Sequence, residues 1–98
     1  GIELFESDVP LKESVKGLCE VFGFDPLYLA NEGKFISVIA KEDAERALEI
    51  MKNNSLGKNS AIIGEITENH KGTVVLNTEI GGRRIIDMHT GKQLPRIC

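Results

Sequence analysis

The amino-acid sequence predicts an α+β domain built on a mixed, largely antiparallel sheet with two helices on one face. Two segments repeat their apolar residues at helical spacing, and the second half of the chain carries β-rich runs separated by turn signals. The length of 98 residues leaves room for one domain, so these elements are expected to share one core. No internal repeat and no low-complexity segment changes this prediction.

The first elements are expected to be a short strand and a helix. The apolar run Ile2–Phe5 is typical of a strand. Ser7, Asp8 and Pro10 then supply the capping oxygen and the fixed φ with which a helix begins. Gly23 is expected to end this helix, because glycine accepts the left-handed conformation found there. The predicted buried stripe consists of Leu11, Val15, Leu18, Cys19 and Phe22.

The middle of the chain is expected to hold an irregular segment, a strand and a second helix. Residues 24–33 mix a proline turn with a glycine stop, whereas residues 34–40 are rich in Phe, Val and Ile, as a mostly buried strand is. Residues 42–52 predict a helix, with Glu42 and Asp43 in the first turn, where the helix dipole favours them. Its apolar stripe is Ala44, Ala47, Leu48 and Met51.

The last part of the chain is predicted to be β, in runs over residues 61–67, 73–80 and 83–88. Gly81-Gly82 is expected to form a two-residue hairpin turn, because both glycines accept a positive φ. From Thr90 onward no core pattern remains. The sequence therefore predicts a domain of ferredoxin-like character over residues 1–89 and a flexible tail over residues 90–98.

Charge, hydropathy and cysteine content argue against several classes of protein. The formal net charge of −3 disfavours a nucleic-acid partner, and the longest apolar stretches fall far short of the ~20 residues of a membrane helix. The sequence has 2 cysteines, fewer than small secreted domains usually carry. We therefore expect reduced thiols in the cytoplasm, with a Cys19–Cys98 disulfide as the less favoured alternative.

Motifs for nucleotides and metals are missing from the sequence. Neither the dinucleotide-binding GxGxxG pattern nor a phosphate-binding P-loop occurs. His70, His89 and Cys98 stand alone rather than at paired ligand spacing. Both histidines are therefore expected at the surface, and no metal site is predicted.

Cys98, the final residue, is the first candidate for chemistry. Residues 90–98, if extended, reach about 30 Å from the last predicted strand. Gly91 permits a bend, and Pro95 stiffens the end of the arm. A thiol on such an arm suits a carrier that is loaded at one site and processed at another, although an incidental terminal cysteine fits the sequence equally well.

Glu32 is the second candidate. It lies between Asn31 and Gly33, where the irregular segment meets the predicted strand. Turn chemistry alone accounts for this triplet, because Asn and Gly both favour turns. The functional interpretation is a loop carboxylate presented to a ligand, where it can act as a general base.

Three stretches together resemble one known family. They are residues 25–34 (DPLYLANEGK), residues 61–66 (AIIGEI) and the ending Pro95-Arg96-Ile97-Cys98. Over essentially its whole length the chain is similar to the C-terminal domain of the HypE hydrogenase maturation proteins. The ANEG segment occurs more widely in the superfamily of aminoimidazole ribonucleotide synthetase, whereas the PRIC ending is the specific part of the resemblance.

The resemblance implies a role in making the cyanide ligands of NiFe-hydrogenases. In that family the carbamoyltransferase HypF loads a carbamoyl group onto the terminal cysteine, which corresponds to Cys98. HypE then uses ATP to dehydrate the group to a thiocyanate, and cyanide passes to iron held by the HypC–HypD complex. Glu32 is implied as the general base, with Asn31 and Gly33 shaping its loop. Pro95, Arg96 and Ile97 belong to the carrier tail.

The resemblance also implies what this chain needs from elsewhere. In the superfamily, ATP and Mg²⁺ are bound mainly by an N-terminal domain, through which the protein forms a homodimer. We therefore expect a carrier tail and half of a catalytic site, inactive alone and without a cofactor. Two alternatives stay open: a ferredoxin-like regulatory domain that binds a small molecule, and a superfamily kinase or amidine-forming ligase that shares the loop but not the tail.

Overall fold

The computed structural model describes residues 1–87. Contacts divide this part of the chain into two compact units: a sheet unit, residues 1–10 with 37–87, and a loop unit, residues 11–36. The loop unit contains helix α1 (Glu13–Phe22), and the sheet unit contains helix α2 (Ala44–Lys52). The strands of the sheet unit are β1 (Ile2–Phe5), β2 (Gly64–Ile66), β3 (Val74–Asn77) and β4 (Arg83–Ile86).

The strands form a single mixed sheet in the order β2-β1-β3-β4. Strand β1 is antiparallel to β2 and parallel to β3, and β3 is antiparallel to β4. Leu4 of β1 lies opposite Gly64 of β2, where a Cβ would collide with the backbone carbonyl of Glu3. The α+β class and the mixed, largely antiparallel sheet are thus confirmed, whereas the placement of both helices on one face stays a prediction.

The core of the sheet unit lies on its central strand β3. Val75 is 6% exposed and Leu76 1% exposed, although their side chains point to opposite faces of the sheet. Strand β3 has a neighbour on each side and is covered on both faces, whereas the edge strands β2 and β4 are largely exposed. The middle of β3 is therefore the position where a lost side chain would cost most.

Helix α1 begins later than the sequence predicts. Ser7 and Asp8 lie inside a short 3-10 turn (Glu6–Asp8), and the helix begins at Glu13 with no side-chain cap. Pro10 keeps Ser7 and Asp8 from capping the helix, because a proline disfavours helical backbone at the preceding residue, and Val9 is extended at φ −78°, ψ 118°. The backbone is still extended at Lys12, the residue before the helix, at φ −66°, ψ 141°. Gly23 ends the helix at φ 69°, as predicted.

The predicted buried stripe of α1 is only partly right. Cys19 is 4% exposed and Val15 is half-buried, but Leu18 and Phe22 are 58% and 62% exposed. Phe22 instead stacks on Phe24, with ring centroids 5.8 Å apart. This ring contact is local, and it joins the end of the helix to the segment that follows.

The predicted buried strand over residues 34–40 is wrong. This segment has no regular secondary structure, and all of its side chains are exposed, Phe35 at 77% and Ile36 at 83%. A strand forms only where its N–H and C=O groups pair with a neighbour, and none of the described strands pairs with it. The β propensity of residues 34–40 therefore does not produce a strand, because no described strand lies beside this segment to pair with it.

The remaining elements follow the sequence with small shifts. The stripe residues of α2 are half-buried, and a 3-10 turn (Lys41–Asp43) precedes the helix. The hairpin between β3 and β4 is longer than predicted, because Thr78 closes it through its own amide, carbonyl and hydroxyl groups. Of the two glycines in this turn, Gly81 takes a positive φ, 87°, and Gly82 does not. Within residues 1–87 no helix is long and apolar enough to cross a membrane.

Candidate functional site

The loop that carries Glu32 begins with a capped turn. The Oδ1 atom of Asp25 accepts a hydrogen bond from the Leu27 amide at 3.0 Å, and Pro26 begins a 3-10 turn (Pro26–Tyr28). Proline fixes φ at this position, while the aspartate satisfies an amide that the turn leaves unpaired. The Asp-Pro pair therefore gives the loop a defined starting direction.

The Asn31-Glu32-Gly33 triplet follows this turn. The side-chain amide of Asn31 donates to the carbonyl of Leu29 at 3.3 Å, which folds the chain back on the turn. Gly33 has a φ of 76°, a conformation that an L side chain adopts only with strain. Local geometry thus determines how the carboxylate of Glu32 is displayed.

Glu32 is exposed to solvent, and within residues 1–87 its side chain makes no hydrogen bond or ion pair. Its oxygens are therefore available to a ligand. A carboxylate works as a general base near neutral pH when a shielded pocket tunes it, and the described residues of the loop unit do not enclose Glu32. The loop presents the carboxylate without completing a pocket around it.

The tail residues predicted to act with Glu32 are Pro95, Arg96, Ile97 and Cys98, and they lie outside the described residues. The same holds for His89, Thr90 and Gly91. Cys19 is a free, buried thiol in the loop unit. No three His, Cys, Asp or Glu side chains within the described part of the chain are grouped to hold a metal ion.

A polar cluster on the sheet unit escaped the sequence analysis. We call it the Glu3 cluster: Glu3, His70, Asn77 and Arg83. The Oε1 atom of Glu3 accepts from Arg83 Nη2 at 3.0 Å and from Asn77 Nδ2 at 3.4 Å. The same Arg83 nitrogen lies 3.2 Å from His70 Nε2, which must be the acceptor because a guanidinium only donates.

The alternation of side chains along the strands explains why these groups meet. Glu3 on β1 is the register partner of Val75 on β3, and Asn77 lies two residues further along the same face. Asn77 is in turn paired with Arg83, the first residue of β4. The alternation of residues in the sequence predicts which face of its strand each side chain lies on. It does not predict the strand order that brings these side chains together.

Comparison with known proteins identifies the class of domain. The family model "AIR synthase related protein, C-terminal domain" matches residues 1–77. This chain belongs to that family. The predicted membership in the superfamily of aminoimidazole ribonucleotide synthetase is therefore confirmed.

The similarity extends to one group of proteins within this class. The chain is 48% identical over 98 residues to a putative hydrogenase expression/formation protein of Methanocaldococcus jannaschii and 45% identical to carbamoyl dehydratase HypE of Azotobacter vinelandii. Both matches cover 100% of this chain and 29% of the relative. The chain thus spans less than a third of the length of these curated relatives, and the predicted resemblance to HypE is confirmed.

Solved structures agree with this assignment. The crystal structure of hydrogenase maturation protein HypE matches with a TM-score of 0.87 at 42% identity, over 99% of this chain and 32% of that one. A HypE–HypF complex matches with a TM-score of 0.81 at 48% identity, over 89% of this chain and 28% of that one. A structure of HypE in complex with ATP matches with a TM-score of 0.83 at 42% identity, over 99% of this chain and 30% of that one.

Proposed function

We propose that this chain is the C-terminal part of an ATP-dependent carbamoyl dehydratase of hydrogenase maturation, and that Cys98 carries the reacting group. The observation that carries the proposal is similarity over 100% of the chain to a relative named carbamoyl dehydratase HypE. A hydrogenase formation protein is similar over the same full length. The enzyme class and the process both come from these relatives.

The proposed reaction removes the elements of water from a carbamoyl group on sulfur. The Cys98 thiol first receives a carbamoyl group from a carbamoyltransferase of the HypF type. The amide oxygen then takes the terminal phosphoryl group of ATP, with release of ADP and of one proton from the nitrogen. A base removes the remaining proton from nitrogen as phosphate leaves, and the product is a thiocyanate. The cyanide then passes to iron on a HypC–HypD complex, which supplies the two electrons that cleave the S–C bond and leave Cys98 as a thiolate.

We assign the role of base to Glu32. Three features support this assignment: its carboxylate is unpaired within residues 1–87, its loop begins at the Asp25 turn, and Gly33 adopts the left-handed backbone that follows it. General bases contribute by standing within hydrogen-bond reach of the proton that they remove. The carboxylate is open to solvent here, so we propose that another part of the longer protein shields it.

ATP and Mg²⁺ are proposed to bind mainly to the part of the longer protein that precedes this chain. A HypE solved with ATP supports ATP as the cosubstrate, and a HypE–HypF complex supports HypF as the donor of the carbamoyl group. We propose a homodimer that forms through the same preceding part. A thiol carrier must stay reduced, which favours a cytoplasmic setting.

Intact mass spectrometry tests the carrier role. The 98-residue chain and the longer protein are each incubated with the carbamoyltransferase, carbamoyl phosphate and ATP. The expected result is a gain of one carbamoyl group that disappears in Cys98→Ala. Cys19→Ala is the matched control and should keep the gain, because that thiol is 4% exposed. A gain that persists in Cys98→Ala would refute the proposal, and a gain in the longer protein alone would place recognition in its other domain.

A further inference from the structure

The Glu32 loop is joined to the end of helix α1 through Phe24. The Phe24 amide donates to the Cys19 carbonyl at 2.9 Å, and the Phe24 ring stacks on Phe22. Because Cys19 is 4% exposed, the backbone bond ties Phe24 to the buried part of the helix. The next residue, Asp25, therefore begins the loop from an anchored position.

The 3-10 turn that follows Asp25 has an acceptor for each of its backbone donors. Pro26 carries no N–H. The Tyr28 amide donates to the Asp25 carbonyl at 3.0 Å, and the Leu29 amide donates to the Pro26 carbonyl at 3.3 Å. The amide of Leu27 donates to the side-chain oxygen Oδ1 of Asp25 at 3.0 Å. Without that side chain, the Leu27 amide would lose its acceptor in a half-buried segment of the chain.

The end of this turn holds the residue that precedes Glu32. Leu29 follows the turn directly, and its carbonyl accepts from Nδ2 of Asn31 at 3.3 Å. Asn31 is covalently bonded to Glu32, so the two residues move together. The bonds from Asp25 to Asn31 thus form one local series, and a change in the direction of the turn would displace the Glu32 carboxylate.

We propose that Asp25 is a positioning residue for Glu32, an inference that rests on the proposed function. The Asp25 carboxylate holds the turn, and the turn supplies the carbonyl that holds Asn31. A general base acts within hydrogen-bond reach of the proton that it removes. A displacement of about 1 Å that begins away from the reacting atoms can slow a reaction about 10²-fold. Loss of the Asp25 side chain is therefore expected to slow the reaction without removing the base.

The test is a single-turnover measurement on the longer protein already carbamoylated on Cys98. After ATP is added, mass spectrometry follows the loss of one water. Asp25→Ala is expected to slow this step about 5- to 50-fold. The Kd for ATP should not change, because the nucleotide is proposed to bind mainly to the preceding part of the protein. Asp25→Asn should keep most of the rate, since its amide oxygen can still accept from the Leu27 amide.

The matched control is Asn54→Ala. The Oδ1 atom of Asn54 accepts from the Leu56 amide at 2.9 Å at the start of another 3-10 turn (Ser55–Gly57). This bond has the same spacing as the bond from Leu27 to Asp25, but it lies in the sheet unit. Asn54→Ala should therefore react at the unaltered rate.

A double variant separates positioning from structural damage. If Asp25 acts through Glu32, adding Asp25→Ala to Glu32→Gln should slow the remaining reaction by less than about 2-fold, because the base is already lost. General damage to the protein would instead slow the reaction by the same factor in both backgrounds.

Three results would overturn the positioning role. They are an unaltered rate in Asp25→Ala, an equal slowing in the two backgrounds, and a loss of rate in Asp25→Asn as large as in Asp25→Ala. The last result would assign the effect to the charge of Asp25 rather than to its hydrogen bond. If the unaltered protein never loses water from its carbamoyl group, the proposed function fails and the inference fails with it. Loss of water at the same rate in the unaltered protein and in Asp25→Ala refutes the positioning role alone.

Discussion

The two units of the chain are built from contacts of different range. In the sheet unit, the bond from Arg83 to Glu3 joins residues 80 positions apart, and the bond from Glu79 to Glu6 joins residues 73 apart. In the loop unit, the bond from the Leu27 amide to Asp25 and the bond from Asn31 to the Leu29 carbonyl each span 2 positions. The polar bonds that join the strands of the sheet unit depend on the global fold, whereas the two bonds that shape the Glu32 loop are local in sequence. The candidate site residue Glu32 thus lies on a loop and the strands lie in the other unit, a division of roles that is common in proteins.

The largest effect is expected at the site and without loss of stability. Glu32→Gln should slow thiocyanate formation by about 10²- to 10⁴-fold, the usual contribution of a general base. The melting temperature should not change, because Glu32 is exposed and makes no hydrogen bond or ion pair within residues 1–87. Single-turnover kinetics on the longer protein measures the first effect, and calorimetry measures the second.

Glu20→Gln is the matched control for this prediction. Glu20 is an exposed carboxylate on α1 of the same unit, so its loss should leave the rate unaltered. An equal rate in Glu32→Gln and Glu20→Gln would remove Glu32 from the mechanism. It would also favour the alternative of a regulatory domain without catalysis.

The second effect falls on the sheet unit. Leu76→Ala should lower the free energy of unfolding by about 2–5 kcal/mol, because Leu76 is 1% exposed at the centre of the sheet. Ile80→Ala, at a position 96% exposed in the hairpin turn, should change it by less than about 0.5 kcal/mol. Denaturant titration measures both values. Similar values for the two variants would show that β3 is not the core of this unit.

The third effect tests the close approach of two strands. Gly64→Ala should destabilise the protein by about 1–3 kcal/mol, because the added Cβ would collide with the Glu3 carbonyl, which belongs to the rigid backbone of β1. Urea midpoints provide the measurement. A variant as stable as the unaltered protein would mean that β2 can move away from β1 at no cost.

The smallest effect has the opposite sign and lies in the loop unit. Gly17→Ala should stabilise the protein by about 0.5–1 kcal/mol, because Gly17 is inside α1 and an added Cβ would meet nothing within 4 Å. A glycine-to-alanine substitution is thus expected to stabilise the protein in the loop unit and to destabilise it in the sheet unit. This difference would be contradicted if the urea midpoints of Gly17→Ala and Gly64→Ala moved in the same direction.

Much of the fold was predictable because its signals are local. The left-handed Gly23 ends α1, the apolar stripe of α2 lies where its spacing places it, and turn residues separate β3 from β4. One failure has a non-local cause and the other a local one. Residues 34–40 have the composition of a strand but no described strand as partner, whereas Ser7 and Asp8 cannot cap α1 because Pro10 holds Val9 extended.

The candidate site was predictable only in part. The residue pattern singled out Glu32 and Cys98 one at a time, and only the family resemblance connected them. The Glu3 cluster was missed because its members come from distant parts of the chain: Asn77 and Glu3 are 74 positions apart. Local sequence predicts glycine-ended helices and turns well, whereas a polar cluster across strands depends on strand order, which periodicity does not contain.

The central claim is that the last residue of this chain carries the reacting carbon. The direct measurement is tandem mass spectrometry of the C-terminal peptide from the longer protein, carbamoylated and then sampled before and after ATP is added. The account predicts a carbamoyl group on Cys98 before ATP and a thiocyanate on the same sulfur afterwards. A modification located on Cys19, or a carbamoyl group that ATP leaves unchanged, would contradict it.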